Sequence, residues 1–172
     1  MSDKKKYIIT SVTLGVIAAC SAVLIGVTNL VTRDRIAQNE KNKINAGIVE
    51  IFGENASIWS SDVIENHKYV KEGYTVGING CASAFAYRTT GSNAYGKISL
   101  IVGFNHDCTF KGVFIISDEQ TYASILEDTY VTGINTTNRD IDNVKCGATR
   151  GAELVRDMIK DAQSCVDSII WD

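Results

Sequence analysis

An uncharged apolar run near the N-terminus constrains the fold of this chain more than any other sequence feature. No Asp, Glu, Lys or Arg occurs among the 25 residues from Tyr7 to Val31. As a helix, the run would be about 37 Å long, which exceeds a hydrocarbon core about 30 Å thick. Three lysines precede it, and Arg33 and Arg35 follow it. The pattern predicts a basic tail over 1–6 and one transmembrane helix over 7–31.

The rest of the chain has a different composition, which a mean hydropathy of 0.00 conceals. The formal charge is +2 over residues 1–32 and −5 over 33–172. A cationic anchor therefore leads into one acidic, water-facing domain, because 172 residues are too few for two domains of ordinary size. The net charge of −3 argues against a nucleic-acid-binding protein.

The orientation of the anchor does not follow from charge, because basic residues flank both ends of the run. A short basic tail before an apolar run resembles an export signal, which would place the domain outside the cell membrane. Ile17-Ala18-Ala19-Cys20 also resembles a lipoprotein processing site, at which cleavage would leave a lipidated Cys20. The chain stays apolar from Ser21 to Val31, whereas a lipoprotein normally continues into a polar tether, so an uncleaved anchor is favoured.

Two further helices follow from apolar periodicity. Ile44, Ile48, Ile51 and Phe52 form one apolar stripe, which predicts a connecting helix over 32–53 that ends at Gly53. The C-terminal segment that begins near Thr149 has the same period, with its charged residues on the opposite face. A short helix is also expected over 119–128, followed by a loop over 133–143.

An antiparallel sheet of four or five strands is expected between residues 73 and 117. Four segments are rich in β-forming residues: 75–78, 84–87, 98–102 and 113–116. Turn-forming residues separate them at 79–80, 90–93 and 106–107. The chain is thus expected to be an α+β protein, with a transmembrane helix followed by a small sheet domain over 54–172 and a C-terminal helix.

Cys146-Gly147-Ala148-Thr149 stands immediately before the last helix. Gly147 and Ala148 allow close approach to the backbone, and free N–H groups at a helix start favour phosphate. The Thr149 hydroxyl there could bear a phosphate ester. Thr is also a common N-cap, so a purely structural role for Thr149 is the alternative.

Three stretches, taken in order after a single anchor, resemble the covalent FMN-binding domain family, and most closely the G subunit of the Rnf electron-transport complex. The C subunit of sodium-pumping NADH:quinone oxidoreductase is related. The first stretch is 95–104, similar to the family's "YGG-x-I" strand. The second is 112–116 with Gln120-Thr121, and the third is Gly147-Ala148-Thr149, similar to "Ser-Gly-Ala-Thr". The family's Glu-Thr-Pro-Gly loop corresponds to Gln120-Thr121-Tyr122-Ala123 in a chain that has no proline.

The resemblance implies that Thr149 carries FMN through a phosphoester that a separate flavin transferase makes from FAD. It implies a cytoplasmic N-terminus, a domain on the outer face of the cell membrane, and electron transfer between ferredoxin and NAD coupled to sodium or proton movement. The partners would be the other membrane subunits of an Rnf-like complex, and the subunit would not turn over a substrate alone. The cofactor-binding residues it points to are Cys146, Gly147, Ala148, Thr149, Arg150, Thr121 and Tyr122.

Several of these residues have a second interpretation. Arg150 could pair with the flavin phosphate or lie on the surface, Thr121 and Tyr122 could line the ring or pack, and Cys146 most simply fills a Ser position. No metal-ligand spacing, Ser-His-Asp frame or P-loop is present in the sequence. The competing function classes are a pilin-like surface subunit and an anchored domain that holds FMN without a covalent link.

Overall fold

The computed structural model describes residues 3–136, 140–142 and 146–169. Helix α1 spans Asp3–Phe52, and five strands follow: β1 Ala56–Val63, β2 Val70–Ile78, β3 Cys81–Asn93, β4 Gly96–Asn105 and β5 Phe110–Asp118. Helix α2 (Ala123–Ile125), a π-helical segment (Leu126–Val131) and α3 (Thr132–Thr136) form the next helical stretch. Helix α4 spans Thr149–Ile169. The α+β prediction is confirmed.

The chain divides into two compact units, one that ends at Lys41 and one that begins at Asn42. The described residues of the first unit, from Asp3 onward, are helical, and nearly all of its described side chains are exposed. The second holds the end of α1, the sheet and the remaining helices. Its five strands are antiparallel and lie in the order β1-β2-β3-β4-β5, so each strand pairs with its sequence neighbour.

Both faces of the sheet are covered within the second unit. Leu100, Val102 and Phe104 on β4 pack in the same core as α4, whereas the intervening Ile101 packs in the core that contains Ile44 and Ile48 of α1. This alternation follows from the period of two in a strand. The apolar stripe predicted for the connecting helix is therefore the surface that meets the sheet.

Glycines set how closely the end of α1 approaches the sheet. A Cβ on Gly103 of β4 would lie 2.6 Å from the Ile51 side chain and 2.8 Å from that of Phe52. Gly53 has φ +99 and its N–H donates to the Val49 carbonyl at 2.8 Å, so it ends α1 in a left-handed conformation as predicted.

The sheet departs from the predicted strand pattern in two places. Strand β1 lies before residue 73 and was not predicted, because six of its eight residues are exposed and four are Ser or Asp. The turn predicted over 90–93 is wrong: these residues continue β3, and the chain turns at Ala94 and Tyr95. The close packing of α4 favours glycine at position 91, because a Cβ would lie 2.9 Å from the Leu154 side chain and 3.0 Å from that of Met158. The turns at 79–80 and 106–107 are confirmed.

The helical stretch after β5 also has different bounds from those predicted. It begins at Ala123 rather than Glu119 and continues to Thr136, so the predicted loop is wrong for 133–136. Leu126, Tyr130 and Ile134 are buried at a spacing of four, which carries the helix past Asp128. Residues 140–142 are irregular as expected, and 137–139 and 143 lie outside the described residues.

Candidate functional site

The site is built around the first turn of α4. The Ala152 N–H donates to the Ala148 carbonyl at 3.0 Å, which makes Ala148 the residue that caps the helix and Thr149 its first helical residue. Thr149 is therefore not the N-cap, contrary to the structural alternative raised by the sequence. Its side chain is exposed, and its hydroxyl has no hydrogen-bond partner among the described residues.

The backbone at this helix start is available to an anion. Within the described part of the chain, the N–H groups of Thr149, Arg150 and Gly151 have no backbone acceptor. Three donors at the positive end of a helix dipole form a favourable environment for phosphate. The helix that carries them is 21 residues long and packs in the main core through Val155, Met158 and Ile159.

The Cys146 thiol holds the segment that leads into α4. Its Sγ accepts a hydrogen bond from the Ala148 N–H at 3.3 Å, the i to i+2 pattern in which Ser and Thr commonly serve. The Thr129 hydroxyl, which also donates to the Ile125 carbonyl at 2.5 Å, lies 3.2 Å from the same Sγ. Cys146 thus accepts the hydrogen bond that a Ser or Thr side chain commonly accepts in such a turn, and its sulfur also contacts Thr129 of the π-helical segment.

An open pocket of about 190 Å³ lies against this helix start. Its wall on one side is the run Gly147–Gly151, and on the other sides lie Tyr95, Gln120 and Tyr122. Tyr95 comes from the turn between β3 and β4, and Gln120 and Tyr122 from the loop after β5. We call it the Thr149 pocket.

A network of side-chain amides fixes the walls of the Thr149 pocket. Gln120 Nε2 donates to Asn93 Oδ1 at 2.9 Å, and Asn93 Nδ2 donates to the Arg150 carbonyl at 3.2 Å. The same Asn93 Oδ1 accepts from the Tyr95 N–H at 2.9 Å. A Cβ on Gly151 would lie 2.6 Å from Gln120 Oε1, so glycine at this position leaves room for the amide.

Charge in the pocket comes from Arg150, whose guanidinium pairs with Glu153 at 3.1 Å on the surface of α4. The Arg150 side chain is 72% exposed, so it is free to swing toward a ligand phosphate. On the adjoining loop, burial raises the pKa of Asp118, partly opposed by the hydrogen bond that its Oδ1 accepts from the Gln120 N–H at 2.8 Å. That bond holds the loop at the end of β5.

The structure brings together most of the residues predicted for the site, and adds three. Gly147, Ala148, Thr149, Arg150 and Tyr122 line the pocket, and Cys146 contacts it through the Ala148 N–H. Thr121 is exposed and does not line it. Tyr95, Gln120 and Gly151 line the pocket but were not predicted. The sequence signal that could have identified Tyr95 and Gln120 is that both lie in stretches that resemble the covalent FMN-binding domain family.

Comparison with known proteins gives one family match. Residues 1–51 match the RnfG N-terminal region. The predicted resemblance to RnfG is thereby confirmed for this part of the chain. The match ends within α1, so it includes none of the residues of the Thr149 pocket. No curated protein matches the chain.

The segment that resembles RnfG contains the apolar run. Among the described residues, one helical stretch, Tyr7–Phe52, is long and apolar enough to cross a membrane. Its most apolar window has a mean hydropathy of 2.4, and none of that window is buried. Together with the RnfG match, this helix indicates a single-pass membrane protein. In the described part of the chain, no group of three or more His, Cys, Asp or Glu side chains could hold a metal ion.

Proposed function

We propose that this protein is a membrane-anchored flavoprotein subunit of an Rnf-like ion-translocating ferredoxin:NAD oxidoreductase complex. FMN would be joined to Thr149 through a phosphoester and would relay electrons within the complex. The observation that carries the proposal is the exposed Thr149 hydroxyl at the first turn of α4, beside three N–H groups that have no backbone acceptor among the described residues. The match of residues 1–51 to RnfG supports the membership of an Rnf-type complex.

The residues at the Thr149 pocket fit the phosphate end of FMN. The N–H groups of Thr149, Arg150 and Gly151 supply donors for phosphate oxygens, and the helix dipole favours the negative charge. Gly147 and Ala148 add little bulk, so a phosphate can approach the backbone. Arg150 supplies a guanidinium, which suits phosphate by its planar set of donors. Tyr122 and, farther out, Thr121 would complete the cofactor-binding residues.

FMN would supply the redox chemistry, and the chain would position the cofactor and prevent its dissociation. A phosphoester at Thr149 fixes the cofactor at the far end from its ring, so a carrier on the outer face of a membrane keeps its flavin while the ring stays free to contact protein groups. Cys146 holds the turn that presents Thr149, and the amides of Asn93 and Gln120 keep the pocket walls in place. The subunit needs partners to give and take electrons, and alone it is not expected to be an enzyme.

The proposed topology rests on the resemblance to the covalent FMN-binding family, and the RnfG match of residues 1–51 supports the anchor. The tail over 1–6 would be cytoplasmic, 7–31 would span the cell membrane, 32–53 would connect, and 54–172 would form the FMN domain outside. A separate flavin transferase would attach FMN, with FAD as donor. The other membrane subunits of the complex would be the permanent partners.

Denaturation of the purified full chain tests the proposal against its two alternatives. After co-expression with a flavin transferase, the yellow absorbance is expected to stay with the unfolded polypeptide. Colour that is lost on dialysis of the denatured chain would show a non-covalent flavin instead. A colourless chain that assembles into filaments would favour a pilin-like surface subunit.

A further inference from the structure

A second, larger cleft lies along the first turns of α4, beside the Thr149 pocket. Its volume is about 480 Å³. Helix α4 contributes Arg150, Glu153, Leu154 and Asp157, and the opposite wall includes Tyr69 and Tyr95. Tyr95 and Arg150 also line the Thr149 pocket, so the two cavities share a border. We call the larger cavity the α4 cleft.

The two cavities differ in what they can hold. Pockets for small ligands commonly measure about 300–1,000 Å³, a range that includes the α4 cleft and exceeds the Thr149 pocket. From Arg150 to Asp157 the cleft follows about 10 Å of helix, at 1.5 Å per residue. A group attached at Thr149 and too large for the Thr149 pocket thus has an adjoining elongated space.

The walls of the α4 cleft include two tyrosines and a leucine among polar residues. Its Leu154 side chain is 7% exposed and rests over Gly91, where a Cβ would lie 2.9 Å from Leu154 Cδ1. The backbone of Tyr69 is fixed to α4, because its N–H donates to Asp161 Oδ2 at 2.7 Å. Tyr95 is 49% exposed at the shared border. Aromatic rings stack favourably on one another, so the exposed Tyr95 ring beside this elongated cleft suits a planar heterocycle, whose polar edge would face the polar side chains of Ser92 and Asn93 that also line the cleft.

Charge around the cleft is mixed, with its acids on α4. Glu153 pairs with Arg150, whereas the carboxylate of Asp157 is exposed one turn further along the cleft. Lys68 Nζ lies 4.5 Å from the Tyr69 ring centre, at the edge of the same wall. A carboxylate beside a redox ring disfavours the uptake of negative charge by that ring.

We propose that the α4 cleft binds the isoalloxazine ring of a flavin attached at Thr149, with the phosphate and ribityl chain in the Thr149 pocket. Tyr95 would stack on the ring, and Asp157 would lower its reduction potential. This assignment rests on the proposed function, because it requires a flavin tethered at Thr149. It places Tyr122 beside the ribityl chain rather than the ring.

Two exposed tyrosines offer a matched test in the full chain co-expressed with a flavin transferase. Tyr95 borders the α4 cleft, and Tyr122 lines only the Thr149 pocket. A stacked tyrosine quenches flavin fluorescence, so Tyr95→Leu is expected to raise the fluorescence yield per bound flavin severalfold, whereas Tyr122→Leu leaves it unchanged. The reverse result would place the ring in the Thr149 pocket, and no change in either variant would place it in solvent. Either outcome overturns the proposal.

The potential gives a second readout. Asp157→Asn is expected to raise the midpoint potential of the bound flavin. Asp167→Asn removes the same charge about 15 Å further along α4 and is expected to leave the potential unchanged. Equal potentials in all three proteins would overturn the role of Asp157. Intact mass is measured first: a wild-type chain without flavin would contradict the proposed function, whereas a loaded chain with unaltered fluorescence and potential in every variant would contradict the cleft assignment alone.

Discussion

Cys146 Sγ accepts a hydrogen bond from the Ala148 N–H at 3.3 Å, and this contact defines the turn that presents Thr149. The turn contacts the helical stretch after β5 through Thr129, whose hydroxyl lies 3.2 Å from the same sulfur and 2.5 Å from the Ile125 carbonyl. A single side chain therefore links the start of α4 to the helical stretch after β5.

Replacement of Cys146 tests that link. Cys146→Ala removes the acceptor of the Ala148 N–H and is expected to lower the free energy of unfolding by about 0.5–1.5 kcal/mol, the usual net value of a hydrogen bond. Cys146→Ser keeps an acceptor at the same place and is expected to stay within about 0.5 kcal/mol of the wild type. Chemical denaturation of the detergent-solubilised full chain measures both. Equal losses in the two variants would argue against a hydrogen-bonding role.

Asp161 fastens the segment before β2 to α4. Its Oδ2 accepts the N–H groups of Tyr69 at 2.7 Å and Val70 at 3.2 Å, and its Oδ1 lies 3.2 Å from His67 Nδ1. Burial raises the pKa of Asp161, but these hydrogen bonds outweigh burial and leave the pKa below its ordinary value. Asp161→Ala is expected to cost about 2–3 kcal/mol, because it leaves backbone donors without a charged partner.

The lowered pKa of Asp161 predicts the direction in which the stability of the domain changes with pH. A carboxyl whose pKa is lowered on folding stabilises the native state above its unfolded pKa, which is about 3.9 for Asp. That stabilisation is lost as the pH falls from about 3.9 through the lower, folded pKa. Denaturation is measured for the wild type and Asp161→Asn from about pH 2 to about pH 6. We expect the difference in their free energies of unfolding to be constant near the upper end of this range and to become smaller in acid. A gap that widens in acid would contradict the assignment.

Gly103 and Gly112 are paired across β4 and β5 and form a matched test of packing. A Cβ on Gly103 would lie 2.6 Å from Ile51 Cγ2, whereas one on Gly112 has its nearest neighbour at 3.2 Å, the Asn135 amide oxygen. Gly103→Ala is expected to lower the free energy of unfolding by about 1–3 kcal/mol through overpacking, and Gly112→Ala by less. Thermal denaturation of the two variants gives the ranking, and a larger loss at Gly112 would contradict the close approach of α1 to the sheet.

Local pattern predicted the elements that bury a regular apolar face. The stripe of Ile44 and Ile48 and the period of α4 both identify the faces that pack on the sheet. Strand β1 was not predicted because most of its side chains are exposed and it is held mainly by backbone hydrogen bonds to β2. Backbone pairing of this kind requires no alternation of apolar residues in the sequence. The sequence pattern predicts a turn at Gly91, although Gly91 is a strand residue whose missing side chain leaves room for Leu154.

The candidate site also contains some residues that a local sequence pattern predicts and others that it does not. Residues 146–150 are contiguous in the chain, so their chemistry could be inferred from the order of residue types. Tyr95 and Gln120 enter the Thr149 pocket from the β3–β4 turn and the loop after β5. Their proximity to α4 depends on sheet order and on the hydrogen bond from Gln120 to Asn93 at 2.9 Å, which no local pattern encodes.

The intact mass of the denatured full chain, after co-expression with a flavin transferase, tests the central claim most directly. Thr149→Val serves as a nearly isosteric control without a hydroxyl, and peptide mapping of the segment around Thr149 locates any adduct. We expect the wild type to carry the mass of one FMN less one water on the peptide that contains Thr149, and Thr149→Val to fold with no added mass. A wild-type chain of unmodified mass, or a Thr149→Val chain that still carries the adduct, would contradict the account.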